Sequence, residues 1–247
     1  MKIIRFCALA LFIVVFHLTS LSQTDKGMEN IYDQLKVDKN KIAKEFVTYK
    51  ILPNDTNSMI YVIPVKTEEE EGWWSADIHL LKLSTNSGKI ITYSIFENAI
   101  QCDAIKLYKI WIDSAPYDIK SNKRAFGIRL DYTNNSRAAG FDGETLLLVE
   151  EKNGVFLNVL KLDVSKNVAY GGGDCENTEM YKQRSILVID KMNSNKGYNN
   201  IIEKVHFEHF YLNKDCEDGK KEKKNFENVF QYNDSLYICN GQRKDGW

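Results

Sequence analysis

The chain has 247 residues, 43% hydrophobic and 27% charged, with 33 Lys and Arg against 34 Asp and Glu for a formal net charge of −1. That balance excludes a generally basic nucleic-acid-binding protein, and the composition is that of a globular domain able to bury a sizeable core. No stretch approaches the roughly 20 apolar residues of a membrane span, so no transmembrane segment is expected in the mature chain.

Residues 1–22 read as a secretory signal peptide. Lys2 and Arg5 form the positive start, and the apolar run from Phe6 to Leu18, interrupted by His17, is too short to cross a bilayer. Ser20 and Ser22 place small side chains at the third and first positions before a cut, so the mature chain is expected to begin at Gln23 and to be periplasmic or secreted. An uncleaved anchor is the alternative. Cys7 lies too early for a lipid anchor. The leader carries two of the basic residues and none of the acidic ones, so its removal leaves the chain slightly more acidic.

Residues 23–57 read as an N-terminal leader with one or two short helices. Ile31 and Leu35, then Ile42 and Phe46, recur at four-residue spacing over 29–49, Asp38 is placed to cap the second piece, and Pro53 ends the pattern. From residue 58 to 247 a single antiparallel β domain is expected, because runs of β-branched and aromatic residues alternate with Asn, Asp, Gly and Ser clusters. Strands are predicted near 58–66, 74–84, 89–97, 104–113, 124–133, 144–151, 155–163, 181–190, 200–213, 225–232 and 235–239. Tight turns are expected at Asn86-Ser87-Gly88, Asn153-Gly154 and Asn233-Asp234, the Asn-Gly pair favouring the hairpin turn with two positive φ angles. Segments so close in sequence pair antiparallel. The fold class is therefore mainly β, an antiparallel meander closing as a propeller-like sheet, a sandwich or an open barrel, behind one or two short helices.

Four cysteines remain after the leader: Cys102, Cys175, Cys216 and Cys239. In an oxidising compartment an even number suggests disulfides. If 181–190 and 200–213 form a hairpin around Asn193 to Gly197, Cys175 and Cys216 lie equally far from its centre and meet at its open end. Elimination then leaves Cys102 with Cys239.

The motifs that could carry chemistry are sparse. His206-Phe-Glu-His209 has metal-binding residue types, yet on a strand residues 206 and 209 face opposite sides of the sheet. Gly171-Gly172-Gly173-Asp174 lacks the Gly-Lys-Ser/Thr and helix of a phosphate loop, and Asp174, Glu176 and Glu179 form no regular calcium loop. No Gly-x-Ser-x-Gly elbow occurs, and His79, His206 and His209 are the only histidines beyond the leader. No cofactor is expected. Trp73-Trp74 is a candidate ligand-binding surface, although adjacent strand residues face opposite ways. The tracts Glu68 to Glu71 and Lys220 to Lys224 read as solvated turns.

Asp113-Ser-Ala115-Pro-Tyr117, then Ala125-Phe-Gly127-Ile-Arg129 and a closing strand near Leu236-Tyr237, resemble a pattern in a family of exported β-rich proteins of Gram-negative bacteria, over roughly residues 104 to 240. The resemblance implies export and a β-rich fold and brings no activity with it. Read physically, Gly127 allows a close backbone approach, and Arg129 can pair with Asp113 or Asp131 as a structural polar link. The expected function is a non-enzymatic envelope protein binding a macromolecular partner through strand edges and long loops at 133–143 and 164–178. The alternative is a hydrolase of carbohydrate or cell wall using two carboxyl groups, and a third is a small-ligand carrier.

Overall fold

The structure, a computed structural model, describes residues 28–134, 136, 139–171, 175–176 and 178–246. The predicted signal peptide and its cleavage point lie outside these residues. The chain divides into two units, Met1–Ile42 and Ala43–Trp247. In the first, residues 28–35 are α-helical and Lys39–Lys41 forms a 3-10 turn capped by Asp38, whose side chain accepts the Asn40 N–H at 2.9 Å. Lys39 holds Glu29 and Asp33, each at 2.7 Å.

The second unit opens with a 3-10 turn, Lys44–Phe46, and its described residues continue as twelve strands. These are β1 (Thr48–Leu52), β2 (Asp55–Glu70), β3 (Trp73–Ser84), β4 (Ile90–Cys102), β5 (Lys106–Lys120), β6 (Lys123–Thr133), β7 (Ala139–Lys152), β8 (Val155–Tyr170), β9 (Glu179–Asn195), β10 (Tyr198–Tyr211), β11 (Glu222–Tyr232) and β12 (Tyr237–Cys239). All eleven predicted strands are present and antiparallel. β1 is an addition, so the β unit begins inside the segment read as leader, before residue 58. Thr48, Tyr49, Ile51 and Leu52 give it strand character, and it completes its hydrogen bonds on β2, with Tyr49 opposite Tyr61.

The expected turns are where the residues place them. Asn153 and Gly154 have φ of 53° and 79°, Lys196 and Gly197 take the same left-handed pair, and Gly88 and Asp234 are also at positive φ.

Among the described residues the strands form two sheets, one in the order β1-β2-β3-β4 and one in the order β12-β11-β10-β9-β8-β7-β6-β5, and neither closes into a barrel. Ile60, Val62, Ile78, Leu80 and Ile100 of the small sheet pack against Ile110, Ile112, Ile128, Leu130, Leu147 and Val149 of the large one. On the other face of the large sheet, Leu146, Leu148, Leu160 and Leu162 pack against Ile201, Phe230, Tyr232 and Tyr237. The large sheet thus curls so that its two halves face each other, and β7 is buried on both faces. Its unbroken Leu146-Leu147-Leu148-Val149 run is the sequence pattern such a position demands.

Cys175 and Cys216 meet at the open end of the β9–β10 hairpin, as expected. The β9–β10 ladder runs to Tyr211 opposite Glu179, and just beyond it Cys175 and Cys216 are bridged with Cα atoms 4.9 Å apart. By the loop-entropy argument, closing a loop of this length contributes about 4 kcal/mol. The second pairing is corrected: Cys102 and Cys239 are free thiols. Elimination failed because these residues end strands of different sheets, Cys102 in the core between the sheets and Cys239 beside the inner core of the large sheet. Burial pushes both thiols above their ordinary pKa, which leaves them in the unreactive protonated form.

The two expected long loops are also corrected in their described parts, residues 135, 137–138, 172–174 and 177 lying outside the described residues. β7 starts at Ala139, and β8 continues to Tyr170 through the ladder of Ala139 with Tyr170, Phe141 with Val168 and Gly143 with Lys166. Polar residues in these stretches hid strands whose backbone bonds are satisfied by each other.

Candidate functional site

On β5, β6 and β7, the side chains of Trp111, Asp113, Arg129 and Glu144 share a face with Leu146, looking into the space between the halves of the large sheet. Register produces this. Trp111 is opposite Arg129, Asp113 opposite Gly127, and Arg129 opposite Leu146. Between Asp113 and Tyr117 the edge strand bulges at Ser114-Ala115-Pro116, where a proline costs no ladder bond, and Asp113 Oδ1 accepts the Ala115 N–H at 2.9 Å. A Cβ on Gly127 would lie 2.6 Å from Leu146 Cδ1 and 3.0 Å from Asp113 Cβ, so glycine is required by close packing against both neighbours.

The expected polar link is present and larger than expected. Arg129 Nε donates to Asp113 Oδ2 at 2.8 Å, its Nη1 to Glu144 Oε1, and its Nη2 to the Tyr117 hydroxyl at 3.2 Å. The Tyr117 hydroxyl donates to Asp113 Oδ2 at 2.8 Å, and the guanidinium lies 5.1 Å from the centre of the Trp111 ring. Asp131, the other candidate partner, accepts instead from Trp111 Nε1 at 3.3 Å.

Burial opposes ionisation of Asp113, yet the Ala115 N–H, Tyr117 and Arg129 more than offset it and hold this carboxyl below its usual range. Burial dominates at Glu144, which is raised despite Arg129, with Asp131 adding to the rise. Tyr117 is pushed up to about 12 by burial and by Asp113. Glu144 also lines a cleft of about 260 Å³ with Tyr132, Phe141, Thr145 and Asp163.

A second polar centre, which the sequence reading missed, lies on β10. Glu203 is fully buried and accepts from Ser185 Oγ at 2.6 Å, Asn228 Nδ2 at 2.9 Å, and both Nε and Nη2 of Arg243 at 2.9 and 2.6 Å. Arg243 belongs to the irregular segment 240–246, fixed by paired bonds between Asn228 and the Lys244 backbone and by Gly246 lying on the Phe207 ring. Its Nη2 also reaches the Asp163 carbonyl of β8.

The remaining candidates are placed apart. Trp74 stacks on Phe46 at 6.1 Å and joins the core between the sheets, with Lys66 Nζ 5.6 Å from its ring centre. Trp73 starts β3 opposite Glu70. His206 meets Asn225 and Glu208, whereas His209 meets Glu179 and Glu222 and stacks on Tyr181 at 4.7 Å. Buried His79 shares a hydrogen bond of 2.7 Å with the Tyr93 hydroxyl, and burial lowers its pKa. Among the described residues no group of three or more His, Cys, Asp or Glu is placed to hold a metal. Gly172, Gly173 and Asp174 lie outside the described residues, and Gly171 packs against Thr178.

The surface feature of the large sheet is an open strand. β8 and β9 pair only between Ser165–Tyr170 and Glu179–Arg184. Past Arg184, β9 has a ladder partner in β10 and, among the described residues, none on its other side. On its outward face Ile186 and Val188 are 68% and 39% exposed, and Met192 is 91% exposed, while Leu187 and Ile189 pack inward. Val188, Ile202 and Val229 stand directly opposite one another across three strands, and Ile238 of β12, 48% exposed, extends the stripe. Lys204 and Glu227, paired at 3.5 Å, border it.

No protein-family model, curated protein or solved structure matches the chain. The described residues define a two-sheet antiparallel β protein, and among them one disulfide, Cys175–Cys216, is formed. Among the described residues no helix is long and apolar enough to cross a membrane.

Proposed function

We propose that this is an exported, non-enzymatic protein that binds a macromolecular partner in the cell envelope through the open strand β9 and the apolar stripe beside it. The single observation that carries the reading is the combination on β9 of an unpaired backbone edge with exposed Ile186 and Val188. An extended segment of a partner protein can add to such an edge through main-chain bonds while its side chains cover the stripe. The apolar leader and the Cys175–Cys216 bridge support an oxidising compartment.

The test compares the wild-type chain with an Ile186→Asp/Val188→Asp variant as baits in envelope extract of the source cell. Substitutions at such exposed positions shift stability by roughly 0.5 kcal/mol. The variant should therefore keep its circular dichroism while its affinity for the stoichiometric partner falls at least tenfold. An intact wild-type bait that returns no stoichiometric partner, or a variant that binds equally well, overturns the reading.

A second reading, carbohydrate hydrolysis, draws on the opposite displacements of the Asp113 and Glu144 carboxyls, the pattern of a base paired with an acid. Against it, the Arg129 guanidinium bonds to both and occupies the space a scissile bond would need. Release of reducing sugar from cell-wall glycan, abolished by Glu144→Gln, would reinstate it.

A further inference from the structure

The turn between β5 and β6 gathers cations against its own stability. Lys120 and Lys123 are paired directly opposite each other across the two-residue turn Ser121-Asn122, with Asn122 at φ 62°. Like charges in that relation repel, and cross-strand pairs of this kind are destabilising. Arg124 follows on β6, and Lys191 arrives from β9. With Ser121 and Asn199 these residues line an open cleft of about 480 Å³.

Among the described residues one carboxylate, Asp118, lines it, and that group is already matched by Lys191 at 2.7 Å. Arg124 is steadied by the Ser114 carbonyl at 2.5 Å, and Lys120 Nζ stands 5.0 Å from the centre of the Tyr198 ring. Glu150, the acid beyond that ring, is buried and takes the Tyr198 hydroxyl at 3.0 Å, so it does not neutralise the cleft. Lys120, Lys123 and Arg124 thus line one cleft, among the described residues without an ion-pair partner of their own, beside the Ser121 hydroxyl and the Asn122 side-chain amide, which can donate hydrogen bonds.

We infer that this cleft binds a polyvalent phosphate group, with Lys120, Lys123 and Arg124 sharing its oxygens. A dianionic or more highly charged group replaces the Lys120–Lys123 repulsion with attraction, and the fixed planar fork of Arg124 suits phosphate oxygens. The inference is independent of the partner reading, because the stripe on β9 to β12 and this cleft use different residues.

The test is titration of the purified mature chain with sodium pyrophosphate at constant ionic strength, followed by calorimetry and by thermal unfolding. Saturable binding that raises the unfolding temperature above a chloride control is expected. Lys120→Gln/Lys123→Gln should weaken it at least tenfold while matching or exceeding the wild-type unfolding temperature without anion, because the cross-strand repulsion is gone. Lys204→Gln, on the far stripe, should bind as wild type. A parallel arm uses phosphatidic acid vesicles, whose headgroup is a phosphomonoester able to carry two negative charges, against phosphatidylcholine vesicles. Lysine-dependent binding to the anionic vesicles without pyrophosphate binding supports the phosphate chemistry and assigns it to a lipid headgroup. Binding to neither probe, or binding indifferent to the double substitution, overturns the inference.

Discussion

Arg243→Met is expected to lower the unfolding free energy by about 3–5 kcal/mol, the typical cost of stranding one member of a buried ion pair. Arg243 supplies two of the four hydrogen bonds to the fully buried Glu203 carboxylate, and its loss leaves a charge that Ser185 and Asn228 cannot neutralise. Urea titration of the wild type, Arg243→Met, Glu203→Gln and the double variant measures the coupling. The double variant should be more stable than the sum of the single losses predicts, since the stranded charge is removed with its partner. Additive losses would show that segment 240–246 stabilises only by covering surface.

The same pair sets a pH dependence. Burial raises the Glu203 carboxyl, but Arg243, Ser185 and Asn228 outweigh it and the net displacement is downward. The unfolded chain therefore binds a proton more readily than the folded one. The stabilisation is complete above the unfolded carboxyl value, near pH ~4.3, and is lost as pH falls through the lower folded value. In Arg243→Met, burial is left to dominate, the displacement should reverse, and stability should rise as pH is lowered from neutrality toward 5.

Arg129→Met carries the second large effect, about 3 kcal/mol by the same reasoning, reduced by the partial exposure of its partners. Asp113 and Glu144 lose the cation they share, and Tyr117 loses the donor that completes its hydroxyl. Because Glu144 is raised even with Arg129 present, it protonates more easily still in the variant. The deficit read from chemical denaturation should therefore be largest at pH 7 and shrink toward pH 5. Arg129→Lys should rescue only part of it, since one ammonium cannot reproduce three directed N–H bonds. A deficit that is independent of pH would mean that the network acts through packing on Trp111 and not through charge.

What could be read from residues alone follows the distance over which the chain acts. Turn chemistry at Asn86 to Gly88, Asn153-Gly154 and Asn233-Asp234 is local, and it delivered the ladders and, through counting from a hairpin centre, the Cys175–Cys216 bridge. Asp113 and Arg129 could be matched because they sit on neighbouring strands. Glu144 was invisible as their third member, since only the β6–β7 register brings it to Asp131. Arg243 lies in a segment without periodicity, and nothing near it in sequence announces Glu203. β1 was hidden because it follows helical spacing directly. The place where the chain passes from one sheet to the other was also hidden, for the stretch between Cys102 and Lys106 reads like any other turn while the ladder is broken there. The open side of β9 likewise depends on where β8 departs from it, which is a matter of curvature.

Within each sheet the strands lie side by side in chain order, and this has a consequence for how the molecule is made. A polypeptide emerging N-terminus first never waits for a distant segment to complete a ladder, so each new hairpin can dock on the last, and contacts of short span favour rapid assembly. The exception is the carboxylate on β10, which stays without its counterion until the final stretch has emerged. Premature release before position 243 therefore leaves a nascent chain with nearly all its ladders and an electrostatic defect at their centre, a state that quality-control proteases would meet as loosened.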